Sequence, residues 1–442
     1  MKTYLFFLAV SFSQISSAQD SLYLKDSLTV EKAIATALQN NYDIILSRND
    51  SAVAALDYAY RDYAFLPRVN ANTGYLLNHN AQNITLADGT KRNRNGIKAS
   101  NLNASVGLNW VVFDGFKMFV TREKAEEFLR LGSLLTRRQV NNTVADVIKN
   151  YYNIVRQKQQ LKTIIEQMSI NEDRYKLAKY RLDIGVGVKP DVLQAQIDLN
   201  AQKAAQLNQL TLIEQLKQNL NHLMNVRADT RYEVSDSIPI QLNLTLGEIV
   251  ESLEETNTEL QVTRKNIDLA GLAVKERKAE RFPTVALASA YNFTRANNNS
   301  VVNPTQPLFS QNRGLNYGIS ASIPIFNGLN TRRLIQQAEL SVNYQKSLYE
   351  NQKSLITTDL YNAFKTFDLQ KQSLVLEESN IDLVKENLFI ARERYRLAAT
   401  TFLELREAQR SLEEAYNRLI TARYNMKVAE TEIQRLRGAF VQ

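Results

Sequence analysis

The chain has 442 residues, a formal net charge of +8, no Cys, 14 Gly, 7 Pro and 2 His. With no cysteine, disulfides and thiolate metal sites are excluded. The positive charge alternates with Asp and Glu instead of gathering in blocks, so it reads as solvated helix surface and not as a nucleic-acid footprint.

Residues 1–18 read as a secretory signal, with Lys2, the apolar run from Tyr4 to Val10, and Ser16-Ser17-Ala18 at the cleavage positions. No Cys follows to carry a lipid. Beyond residue 20 no apolar run reaches about 18 residues, so any membrane span must be made of strands. A helix is expected over 29–66, ended by Leu66-Pro67, because a residue before Pro avoids helical dihedrals.

From Pro67 to Gly115 the hydrophobic period changes to two, giving strands over 68–78 and 101–113. Val69, Ala71, Thr73, Tyr75 and Leu77 oppose Asn70, Asn72, Gly74 and Asn78; Leu102, Ala104, Val106, Leu108, Trp110 and Val112 oppose Asn103, Ser105, Gly107 and Asn109. The Asn-rich link 78–101 reads as a loop. A long helix follows over 116–182, its apolar residues recurring every three or four positions through Val144, Val147-Ile148, Tyr151 and Val155, a coiled-coil pattern. Such a helix spans roughly 100 Å. A tip at 183–190, a returning helix at 190–225 and a linker at 227–243 complete this part.

The pattern then repeats. Leu28-Thr29 corresponds to Leu244-Thr245, Asn41 to Asn257, Pro67 to Pro283, Phe113-Asp114-Gly115 to Phe326-Asn327-Gly328, and Tyr180-Arg181-Leu182 to Tyr395-Arg396-Leu397. Residues 19–226 and 244–442 are therefore two copies of one unit. The second copy is expected to contain helix 245–281, strands 284–294 and 314–326, loop 294–314, long helix 329–397, tip 398–402 and helix 402–438. Its alternation sets Tyr291 and Phe293 against Ala290 and Asn292, and Tyr317, Ile319, Ile323 and Ile325 against Gly318, Ser320 and Ser322.

The polar strand faces are built of Asn, Ser and Gly without charge, and aromatic residues stand near strand ends, as in membrane barrels. Val106, Trp110, Tyr291, Tyr317 and Ile319 are the expected lipid-facing residues. Four strands cannot close in lipid. Two copies would give eight strands and a filled lumen; three would give twelve and an open pore, as an export function would favour.

The duplication, the strand exits Phe113–Gly115 and Ile323–Gly328, and the turn motifs from Tyr180 to Gln196 and from Tyr395 to Gln409 together resemble the TolC family of outer-membrane efflux proteins, over essentially the whole mature chain. The resemblance implies a mainly α fold with a membrane β-barrel: four strands per subunit closing as a twelve-stranded trimeric barrel, continued by a long periplasmic α-helical barrel. It implies a homotrimer in the bacterial outer membrane, with strand loops extracellular and helices in the periplasm. A periplasmic adaptor and an inner-membrane transporter are the implied partners, and no cofactor is implied. Ala398-Ala399-Thr400 departs from the Gly that many relatives keep at the second turn.

The turns lie farthest from the strands. Gly185 and Gly187 supply permissive backbone, Pro190 starts a helix and Asp191 suits its dipole. Exposed apolar residues at a tip mark a partner surface, so Gly185, Val186, Gly187, Val188, Asp191, Thr400, Thr401, Phe402 and Leu403 are the candidate docking residues. Asp183, Glu386, Glu393 and Arg394, behind the tips, are candidates for a periplasmic gate. His79 and His222 have no second ligand at metal spacing, and no catalytic grouping or nucleotide-binding loop is evident. The alternative is a non-channel periplasmic coiled-coil rod or adaptor, which would not need four charge-free, aromatic-ended strands.

Overall fold

The computed structural model describes residues 27–87, 89–240, 245–302, 306–397 and 399–441. The signal at 1–18, Pro304, Ala398 and the end of the 227–243 linker lie outside the described residues. In chain order the elements are α1 (Val30–Asn40), α2 (Tyr42–Ala59), a 3-10 turn (Arg61–Phe65), β1 (Arg68–Thr85), β2 (Lys91–Asp114), α3 (Lys117–Asp183), α4 (Lys189–Met224), α5 (Leu246–Thr256), α6 (Thr258–Ala279), β3 (Thr284–Asn298), β4 (Phe309–Ser322), α7 (Asn330–Arg396) and α8 (Phe402–Arg437). The long helices of the two copies are equal in length: α3 and α7 have 67 residues each, and α4 and α8 have 36 each.

The helices expected as single runs over 29–66 and 245–281 are each broken, at Asn41 and at its repeat mate Asn257. Asn257 leaves helical dihedrals, and its side chain caps α6 by accepting from the Glu259 and Leu260 amides at 2.9 and 3.0 Å. Its amide nitrogen donates to the Leu436 carbonyl at 2.7 Å. Asn41 donates likewise to the Leu223 carbonyl at 2.8 Å. Each break thus satisfies a carbonyl at another helix's end.

The chain divides into two compact units, one holding residues 43–140, 245–361 and the C-terminal turn, the other residues 141–244 and 362–435 with the first segment through Tyr42. In the first unit, one antiparallel sheet runs β1-β2-β3-β4. The strands exceed the expected spans. β1 and β2 stay paired out to Thr85 and Lys91, and β3 and β4 out to Asn297 and Phe309, so most of the segments expected as loops at 78–101 and 294–314 are strand. Polar on both faces, these extensions lack the alternation that marks a half-buried strand.

Two strand ends differ. Val112 sits at a bulge between Val111 and Phe113, and Phe113 takes its side of the sheet opposite Val285. β4 stops at Ser322 and not at 326, because Pro324 has no N–H for the ladder.

The second unit is built on α3, α4, α7, α8 and α1. Val144, Val147, Ile148, Tyr151, Ile154 and Val155 of α3 are buried, as are Met426, Ala429 and Ile433 of α8. Tyr151 donates to the Leu28 carbonyl at 2.7 Å and accepts from the Ser235 amide at 3.1 Å, seating the short parallel bridge between Leu28 and Val234 on α3. Part of the linker is thus packed structure, with Tyr232, Val234 and Ile238 buried.

Candidate functional site: an apolar sheet face and a pair of helical tips

The register settles which strand residues share a face. Ala71, Val106, Tyr291 and Leu315 stand in one cross-strand row, followed by rows holding Leu108, Ser289 and Tyr317, and then Trp110, Leu287 and Ile319. The five residues expected to face lipid therefore share one side, and all are exposed, Tyr317 at 83% and Ile319 at 74%. The other side carries Asn72, Ser105, Asn292 and Gly314 in a single row. Beyond Leu77 and Phe293 the apolar side turns basic, with His79 opposite Lys98, Arg295 opposite Leu102, and Arg313 opposite Phe293. Among the described residues no helix is long and apolar enough to cross a membrane.

At the first tip, the Val186 and Gly187 amides donate to the Arg181 carbonyl at 3.0 and 2.8 Å, closing α3, and Pro190 stands in the first turn of α4. The two glycines have different tasks. Gly185 is left-handed, at φ +78°, whereas a Cβ on Gly187 would lie 2.7 Å from the Leu182 nitrogen. Val186 and Val188 are exposed at 63% and 56%. Ile184, Leu193 and Ile197 are exposed beside them; the sequence reading missed these, although Leu193 and Ile197 show helical spacing.

The second tip is capped by side chains. Thr401 accepts from the Glu404 amide at 3.2 Å as the cap of α8, and the Glu404 carboxylate accepts from the Thr400 hydroxyl. Leu403 is exposed. Phe402, expected to be exposed, is half-buried instead. Its ring stands 6.3 Å from Tyr395 and under the Arg174 guanidinium at 5.0 Å.

Behind these tips lies a charged cluster that the sequence reading did not find. Arg174, 4% exposed, donates to Asp198 Oδ2 at 2.5 Å and to Gln409 Oε1 at 2.7 Å. Arg406 reaches the same Asp198 oxygen at 3.2 Å, and Gln194 donates to Oδ1 at 2.9 Å. Arg181 lies over the Tyr395 ring at 4.8 Å. Four helices, α3, α4, α7 and α8, are pinned together. Burial lowers the Arg174 pKa and Asp198 opposes the shift; burial raises the Tyr395 pKa against Arg181. The signal was present in α3: Thr163, Gln167, Asn171 and Arg174 continue the seam of Val155 in polar residues, and all four are buried.

The expected gate residues stand apart from this cluster. Asp183 and Glu386 are exposed. Glu393 pairs with Arg396 at 2.9 Å, and Arg394 donates to the Ala399 carbonyl at 3.3 Å. Among the described residues no group of His, Asp and Glu could hold a metal ion.

The sequence profile of the family described as outer membrane efflux protein matches residues 33–226 and 249–439, taking in both copies. The chain belongs to the outer membrane efflux protein family. Among relatives, the outer membrane protein TolC of Vibrio cholerae is 20% identical, over 85% of this chain and 82% of its own length. The alkaline protease secretion protein AprF of Pseudomonas aeruginosa is 22% identical, over 90% and 84%. The outer-membrane channel CmeC of Campylobacter jejuni shares the fold, with a TM-score of 0.77 at 13% identity, covering all of this chain and 95% of its own. The fold is TolC-like, and the chain is an outer-membrane efflux channel protein. Its family is one of transport channels and not of enzymes.

Proposed function

We propose that three copies close into a twelve-stranded barrel and form the outer-membrane exit duct of a tripartite efflux or type I secretion system. The sheet carries the reading: its apolar side is continuous from β1 to β4, and β1 and β4 each have a neighbour on one side only among the described residues. In hydrocarbon an unpaired edge leaves backbone groups unsatisfied, and four strands are too few to close. Val106, Trp110, Tyr291, Tyr317 and Ile319 then face lipid, and the Asn-, Ser- and Gly-rich side lines the passage. The change from apolar to basic at His79, Lys98, Arg295 and Arg313 marks the outer edge of the hydrocarbon, where long cationic side chains reach the headgroups. Strand loops lie outside and helices in the periplasm. Apolar residues left exposed on the long helices, such as Leu376, Leu383 and Phe389 of α7, are covered by neighbouring subunits.

The tips dock to a periplasmic adaptor that links the duct to an inner-membrane transporter. Gly185, Val186, Gly187, Val188 and Asp191 of the first tip, and Thr400, Thr401 and Leu403 of the second, form this surface, with Phe402 acting from beneath. Asp183 and Glu386, exposed behind the tips, are the better candidates for contacts that gate the end; Glu393 and Arg394 already have partners near their own turn. A periplasmic rod, the other reading, leaves the apolar sheet face without a purpose.

The test is Val186→Asp and Leu403→Asp in cells lacking their own channel, with substrate accumulation and assembled channel measured together. Export should be lost while assembly is normal. Normal export from assembled variants would place the docking surface elsewhere.

A further inference from the structure

Charge on the sheet is sorted by side. The polar side holds Arg68 and Asp114 at the end nearest the helices, followed by uncharged rows such as that of Asn72, Ser105, Asn292 and Gly314. At the far end of β2 stand two further cations, Arg92 and Arg94. Simple alternation would put them on the apolar side, because the even-numbered residues of β2 from Leu108 back to Lys98 all lie there.

A bulge reverses them. Asn80 of β1 pairs with Ile97, but Gln82 pairs with Arg94, so Asn95 and Gly96 together stand against the single Ala81. Gly96 is left-handed, at φ +72°, a conformation glycine takes without a Cβ penalty. An extra residue of this kind re-aims the side chains beyond it. On β1, Asn80, Gln82 and Ile84 continue the polar side of Asn72, so Arg94 opposite Gln82 and Arg92 opposite Ile84 lie on that side as well. The two lysines of the same strand stay on the other side, Lys98 opposite His79 and Lys91 opposite Thr85.

The chain that follows β3 holds this arrangement. The Asn299 amide donates to the Lys98 carbonyl at 2.9 Å, and its side-chain oxygen accepts from the Lys98 amide at 2.8 Å. Arg94 Nη1 donates to the Val301 carbonyl at 3.3 Å and Arg92 Nη1 to the Val302 carbonyl at 3.5 Å. Carbonyl partners steady the two heads without neutralising them. The one acidic residue in β1 to β4 is Asp114, at the opposite end of the sheet; Asp88, in the turn before β2, lies outside the described residues.

On the reading that three copies close into a passage, we infer that Arg92 and Arg94 form a cationic collar at its outer end, and that the solutes it favours are anions bearing carboxylate, sulfate or phosphate groups. Rings of Arg or Lys make a pore selective for anions, and low-dielectric walls focus their field on the opening. The uncharged rows leading up to the collar offer nothing that offsets it. The bulge therefore decides the sign of the exit: the same two arginines on the apolar side would leave it neutral.

The absence of native Cys allows a local probe. Gln82→Cys, opposite Arg94 and exposed, is treated in intact cells with an anionic and a cationic methanethiosulfonate of similar size, and assembled channel is measured in parallel. The anionic reagent should be favoured, and adding Arg92→Gln with Arg94→Gln should remove the preference. The reagents differ by two charges, so each kT lost from the local potential changes their rate ratio about sevenfold. Lys91→Gln with Lys98→Gln removes equal charge from the other side and should change the ratio by less than about twofold. Arg92→Lys with Arg94→Lys keeps the charge and should keep the ratio. No fall for the Gln pair, or an equal fall for the Lys91 and Lys98 pair, would overturn the collar; an equal fall for the Arg→Lys pair would assign the effect to the tethered segment and not to charge. A Gln82→Cys that reacts with neither reagent in assembled protein would overturn the passage itself on this side of the sheet. In planar bilayers the unaltered chain should prefer chloride over potassium more strongly than the Arg92→Gln, Arg94→Gln variant. Conducting channels with identical preference would overturn the collar and leave the duct standing.

Discussion

Asp198 joins two arginines that differ in exposure: the Arg174 side chain is 3% exposed and that of Arg406 45%. In Asp198→Ala, Arg406 can swing into water, but Arg174 cannot. It keeps Gln409 and the Phe402 ring and loses its only nearby anion among the contacts described above. Leaving a buried charge without its partner costs about 3–5 kcal/mol, and the remaining contacts place this case near 3. Arg406→Ala removes a half-exposed partner and should cost no more than about 1 kcal/mol. Hydrogen exchange of the α4 and α8 amides around residues 198 and 409 reads the difference directly. About 3 kcal/mol corresponds to roughly two decades of lost protection. If Arg406→Ala loosens these amides as much as Asp198→Ala, the cluster is an ordinary surface ion pair and the reasoning fails.

On the sheet, Val106→Arg or Ile319→Arg should cost about 2–4 kcal/mol per site and impair membrane insertion, while Ser105→Arg and Ser320→Arg should insert far better; heat-resistant assembled channel in outer-membrane fractions measures both, and equal responses would mean the faces are reversed or equivalent. Glu432 gives a pH dependence. Burial alone would raise its pKa, but hydrogen bonds from Arg435 and Lys149 hold the carboxyl down to about 2. Its stabilisation is complete above the ordinary Glu range and is lost as pH falls from about 4.5 towards 2. Glu432→Gln should flatten the acid side of a melting-temperature profile, and an unchanged acid limb would contradict the assignment.

Much of the architecture is visible in the sequence because it rests on periodicity. The change of period at Pro67 and Pro283 locates the strands, and the alternation from Val69 to Leu77 assigns faces that the register then reproduces. Features that depend on distant partners are not visible. The break at Asn41 depends on the Leu223 carbonyl, and that at Asn257 on Leu436. Phe402 is half-buried because Arg174 and Tyr395, far off in sequence, converge on its ring. The outer halves of β1 and β2 look like loop because polar residues occupy both faces, with Ile97 the buried exception, and only their pairing makes them strand.

The central claim is that three copies make one channel. The mass of the detergent-solubilised particle, with bound detergent subtracted, tests it most directly. Three chains per particle are predicted; a stable monomer, or a dimer with eight strands, would contradict the account.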